Sequence, residues 1–163
     1  MEVKTMARYT VFQVAKWFLT HDSMTLKRLQ KLCYYAQAWY YTLKGKKLMD
    51  TDFEAWVHGP VSRDLWNKYR FVYEQYRYME DIESTSLSDE DDITDPDDIE
   101  LLELVWNTYG DLTGNALEAL THTEAPWINA RAGAAPSEPC SNIISLESMK
   151  EYYQTIYEND YGE

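Results

Sequence analysis

One stretch constrains everything around it: LKRLQKLCYYAQAWYYTLK, residues 26–44, followed at once by Gly45. Leu26, Leu29, Leu32, Cys33, Ala36, Tyr40 and Leu43 recur at three- and four-residue steps, the signature of one apolar helix face. Thr25 precedes the run as an N-cap whose hydroxyl can accept from the free amides of the first turn. Gly45 suits the left-handed residue that ends such a helix, and Lys44, Lys46 and Lys47 sit near its negative end. Beyond it, Phe53, Ala55 and Val57 alternate with Glu54 and Trp56, as in a short half-buried strand. His58-Gly59-Pro60-Val61 then reads as a turn, with Gly59-Pro60 ending the strand because proline has no amide to donate.

The rest of the chain reads as helices arranged around that centre. Thr10 caps a helix carrying Val11, Phe12, Val14, Ala15, Phe18 and Leu19, joined to the central one by a link short enough for a helical hairpin. A third helix starts near Ser62, with Leu65, Trp66, Tyr69, Val72, Tyr73 and Tyr76 on its apolar side. Residues 83–95 are acidic and poor in bulky apolar groups, which predicts a solvated loop or an acidic arm that meets a basic partner. Asp95 as N-cap and Pro96 in the first turn open a helix over Leu101, Leu102, Leu104, Val105, Trp106 and Tyr109, ended by Gly110. Thr113 caps a shorter helix, and the segment from Thr121 to Trp127 turns into a helical piece running to Ala132. Ile143-Ile144 is placed as an extended pair beside residues 53–57. The last helix holds Leu146, Met149, Tyr152, Tyr153, Ile156 and Tyr157. The prediction is a mainly α, compact single-domain fold of about six helices with a small β-hairpin or short strands near 53–57. Residues 1–9 form a leader, 10–158 the domain, and about 79–98 an acidic loop or insertion.

Charge narrows the functional classes. Residues 1–73 carry 12 Lys/Arg against 6 Asp/Glu, whereas residues 74–163 carry 3 against 22. Phosphate-backbone binding needs a positive surplus, so nucleic acid is disfavoured as a partner and a basic protein favoured. Fourteen tyrosines and six tryptophans supply residues that serve both cores and interfaces. Cys33 and Cys140 have no metal-type spacing, and free thiols in a cytoplasmic protein are expected. No apolar run approaches the ~20 residues of a membrane span, so no membrane partner is expected. Catalytic signatures are lacking: the phosphate-cradle and nucleophile-elbow patterns do not occur. His21, His58 and His122 have no ligand spacing. His58 and His122 with Glu54 or Glu124 form a site only if the fold brings them together; otherwise each ring pins its own turn through a backbone carbonyl. No enzyme activity, cofactor or metal is predicted.

Three motifs carry a resemblance. Leu29-Gln30-Lys31-Leu32 with Tyr34-Tyr35-Ala36-Gln37-Ala38-Trp39, then Phe53-Glu54-Ala55-Trp56-Val57-His58-Gly59-Pro60-Val61, resemble the Panacea (SocA-like) domain. Leu120-Thr121-His122 with Pro126-Trp127 and the aromatic last helix agree with it. That family includes prophage- and plasmid-associated proteins, many of them antitoxins. The resemblance implies a protein that neutralises a cognate toxin by direct complex formation, in one branch as an adaptor to a AAA+ protease. It places partner contacts on the exposed side of the central helix and the turn beside it: Tyr35, Trp39, Trp56, His58 and Arg63, with Glu54 as a rim contact. Gln37, Gly59, Pro60, His122, Pro126 and Trp127 fall to fold maintenance. The other reading is a mobile-element counter-defence protein that mimics nucleic acid through its acidic run, Asp89 to Asp92 and onward. The acidic 79–98 segment departs from the family pattern.

Overall fold

The computed structural model describes residues 7–70 and 80–161. Six of the predicted leader residues, and Val72, Tyr73 and Tyr76 of the third helix, lie outside them. In chain order run α1 (Val11–Leu19), α2 (Leu26–Lys44), β1 (Phe53–Trp56), β2 (Gly59–Ser62), α3 (Arg63–Tyr69), a 3-10 turn (Ser84–Leu87), α4 (Pro96–Tyr109), α5 (Gly114–Thr121), α6 (Ala125–Ala130) and α7 (Leu146–Tyr161). The fold is mainly α, with a small antiparallel hairpin.

Most helix starts are set by a side chain written into the sequence. Thr10 and Gln13 form a reciprocal capping box, and Thr25, Ser62, Asp95 and Thr113 each accept from amides of the turn that follows. Gly45 ends α2 at φ +70°, a conformation glycine adopts without steric cost.

The larger surprise is α2 itself. Its periodicity predicts one buried face, yet every residue from Leu29 to Tyr40 is buried. Helices α1, α4, α5 and α7 and strand β2 surround it. The two glutamines tolerate this because their amides are consumed by backbone. Gln30 donates to Ser62 O (3.0 Å) and accepts from Ser62 N (2.8 Å), tying β2 to the helix. Gln37 accepts from the amides of Leu48 and Met49 and donates to the carbonyls of Met49 and Thr51. A buried amide with all four sites satisfied costs little. Helical periodicity cannot register such partners.

Pro60 does not end the strand region; it lies within β2, paired with Ala55. The hairpin turn is Val57-His58, with Trp56 opposite Gly59. Ala55 N donates instead to Asn142 O (2.8 Å), and Ile144 N to Phe53 O (2.8 Å). Ala55 and Pro60 therefore face each other as a non-bonded pair, where a missing amide is harmless. Residues 142–144 lie beside β1, as their sequence predicts.

The acidic segment is also more tightly held than its composition predicts. Ile82, Leu87 and Ile93 are buried, Ile82 bridges to Met24, and Lys16 Nζ reaches Glu90 O (2.7 Å) and Asp92 (2.9 Å). Three isolated apolar residues at wide spacing leave no periodic signal, but each fills a site in the core.

Candidate functional site

The candidate site is the β1–β2 hairpin and the helices beneath it, and it has an anchored inner layer and a half-buried outer one with Arg63 and His58 exposed. In the inner layer α6 grips the hairpin backbone. Trp127 Nε1 donates to Trp56 O (2.8 Å) and Arg131 Nη1 to Ala55 O (2.9 Å). The Arg131 guanidinium lies over the Trp127 ring at 4.9 Å. His122 stacks on the same Trp127, ring centroids 4.0 Å apart and 16° from parallel. Burial lowers the His122 pKa and favours the neutral imidazole.

Lys31 lies directly under the hairpin and is 1% exposed. Among the described residues no carboxylate comes within ion-pair distance of its ammonium. Its burial lowers the pKa from 10.5 to about 7, opposed by the field of Glu118. Gly59, at φ +105°, leaves the room this side chain occupies. A Cβ there would lie 2.5 Å from Lys31 Cε and 3.1 Å from Thr121 Oγ1. Glu118 on α5 bonds Lys27 Nζ (2.6 Å) and His58 Nδ1 (3.0 Å). Partial burial pushes its carboxyl up, but those two partners hold it below the usual carboxylate range.

The outer layer is a polar-rimmed aromatic face. The Trp56 and Trp66 rings meet edge to face at 5.4 Å, and the Arg63 guanidinium sits 5.1 Å from the Trp56 centroid. Glu54 clamps both: it accepts from Arg63 Nη2 (2.9 Å), Arg63 Nε (3.2 Å) and Trp56 Nε1 (2.8 Å). Val57, His58, Pro139 and Cys140 line the adjoining shallow cleft.

Of the six residues predicted to meet a partner, Glu54, Trp56, His58 and Arg63 share this face. Tyr35 and Trp39 do not, which corrects their placement on an exposed side of the central helix: Tyr35 is 0% and Trp39 8% exposed. Tyr35 stacks on Tyr109 at 3.9 Å and donates to Glu124 Oε1 (2.8 Å), and Trp39 Nε1 donates to Tyr109 OH (2.8 Å). Each aromatic thus has a partner inside for its polar tip, which makes full burial favourable.

His58 bonds a carboxylate, not a backbone carbonyl; His122 meets the backbone of Val57, which opposes the lowering of its pKa, while its Nε2 has no hydrogen-bond partner among the described residues. Glu124 turns away from both imidazoles into a tyrosine cage, accepting from Tyr35 and from Tyr153 (2.7 Å). Burial pushes its carboxyl up to about 7 despite those two bonds. No group of three or more His, Cys, Asp or Glu suited to a metal ion occurs among the described residues. No helix there is long and apolar enough to cross a membrane.

Lys31, Glu118, Thr121 and Arg131 were not legible as site residues. A lysine one turn from Lys27 reads as a solvated helix face until the hairpin closes over it.

The family model for the antitoxin SocA-like, Panacea domain matches residues 29–128. The chain belongs to the SocA-like Panacea family. The Panacea match contains the hairpin, Lys31, Glu118 and Trp127, stops short of Arg131, Pro139 and Cys140, and leaves out α1 and α7. No curated protein and no solved structure matches this Panacea chain.

Proposed function

We propose that this Panacea protein is an antitoxin that neutralises a cognate toxin by direct contact, with the hairpin face as the contact surface. The observation that carries the reading is a half-buried Trp56–Trp66 pair with the exposed Arg63 guanidinium beside it, held by Glu54 on a hairpin anchored from below. Tryptophan and arginine dominate binding hot spots, and fixing their rotamers in advance lowers the entropy lost on association. Glu54 and His58 form the polar rim of that face. The acidic second half of the chain supports a basic toxin, attracted before docking. A soluble cytoplasmic complex fits this reading, and handing the bound toxin to a AAA+ protease is a further step compatible with it.

The test is co-expression with the neighbouring open reading frame, read by growth and by pull-down. Growth arrest by the neighbour alone, relieved together with complex formation, supports the proposal. Arrest that is relieved without any complex contradicts neutralisation by contact. Nucleic-acid mimicry predicts a different behaviour: binding to a DNA-binding protein that DNA competes away and that falls steeply with salt.

A further inference from the structure

A second surface lies away from the hairpin. Helices α2, α4 and α7 enclose an open cleft of about 210 Å³ with Trp39 at its floor and Leu43, Leu104, Ile156, Tyr157 and Asp160 around it. Leu43, Leu104 and Tyr157 are 38%, 39% and 37% exposed, three of the five large hydrophobic residues most open to solvent among those described. They come from three different helices, so their convergence in one cleft is a property of the fold and not of one sticky segment. Scattered apolar residues need no explanation, but a contiguous group rimmed by polar ones marks an interaction site.

The rim is acidic. Asp160 lines the cleft, Glu158 follows Tyr157, and Glu100 and Glu103 flank Leu104 on the exposed side of α4. Together α4 and α7 hold eight Asp/Glu and one Lys/Arg, Lys150. At the cleft end of α2, Lys44, next to Leu43, opposes that sign. An apolar trough between parallel walls of side chains receives a helix that inserts residues at i, i+3, i+4 and i+7. Its acidic margin selects positive flanks and repels an anionic membrane surface. The hairpin contributes no lining residue.

We infer that the α2–α4–α7 cleft is a docking site for a basic amphipathic helix of another protein, separate from the hairpin face. The probe is a fluorescein-labelled synthetic helix with leucines at i, i+3, i+4 and i+7 flanked by lysines. An isomer flanked by glutamates serves as its counterpart. Each is titrated with the full chain and followed by anisotropy. The lysine peptide should bind saturably, more weakly as salt rises, and the glutamate peptide should not. Leu104→Gln and Leu43→Gln should each weaken binding by about tenfold or more, whereas Trp56→Ala on the hairpin should leave it unchanged. Absence of saturable binding, equal binding of the two peptides, or indifference to both cleft substitutions overturns the inference. So does sedimentation equilibrium showing a homodimer that Leu104→Gln dissociates, since the cleft is then covered by a second copy. Failure of peptide binding leaves the hairpin reading untouched, because neutralisation is tested through Trp56 and Arg63.

Discussion

Gly59→Ala probes the joint between hairpin and core. Two effects add. At φ +105° an L-residue carries roughly 1–3 kcal/mol of backbone strain. The new Cβ would also stand 2.5 Å from Lys31 Cε and 3.1 Å from Thr121 Oγ1. Lys31 is enclosed, so its side chain cannot swing clear, and overpacking of this kind costs about 1–3 kcal/mol. The sum is roughly 2–6 kcal/mol, which for a chain of this size lowers Tm by on the order of 10 °C. Urea denaturation of four proteins (wild type, Gly59→Ala, Lys31→Ala and the double variant) separates the two parts. Removing the Lys31 side chain should relieve the clash and leave the strain, giving a coupling of about 1–3 kcal/mol. A Gly59→Ala protein within about 0.5 kcal/mol of wild type refutes the reasoning, and so does a cycle additive to about that margin.

Three further perturbations test the buried charges and the acidic segment. Lys31→Met should stabilise the protein most at pH 6 and below. The native pKa is depressed to about 7 from 10.5, so the destabilisation is fully present below pH 7 and is relieved as pH rises toward 10.5. Its upper bound is roughly 5 kcal/mol, and a stability difference flat from pH 6 to 10 contradicts it. Glu124 has the opposite profile: its carboxyl is raised to about 7, so wild-type stability should fall between pH 4.5 and 7 and level off above, by at most about 3 kcal/mol. Glu124→Gln should flatten that slope in urea titrations, and an unchanged slope places the titrating group elsewhere. Leu87→Ala should cost about 2–5 kcal/mol and speed amide exchange around Ile82 and Ile93; a change within about 0.5 kcal/mol returns the acidic segment to the status of a solvated loop.

What the sequence made legible was local. The caps at Thr10, Thr25, Asp95 and Thr113, the glycine stop at Gly45 and the pairing of residues 142–144 with β1 each depend on chemistry within a few residues or on a short alternating pattern. What it hid was tertiary. Tyr35 and Trp39 look like interface residues because their polar tips need partners, and those partners, Glu124 and Tyr109, lie far along the chain. Lys31 looks solvated because no local rule says that the hairpin and α5 will cover it. Ile82, Leu87 and Ile93 disappear in an acidic background because their anchoring acts one residue at a time. Glu54, Trp56, His58 and Arg63 come together because a two-residue turn brings both strands and the start of α3 to one side, a consequence of register that the motif alone does not spell out.

The most direct test of the account is the affinity of the purified chain for the protein encoded beside it, measured by calorimetry for wild type, Trp56→Ala and Arg63→Glu, each first shown folded by its Tm. Each variant should lose at least about tenfold in affinity with Tm held near wild type, and growth rescue should fall in parallel. Wild-type affinity in both folded variants contradicts the hairpin as the surface that neutralises the toxin.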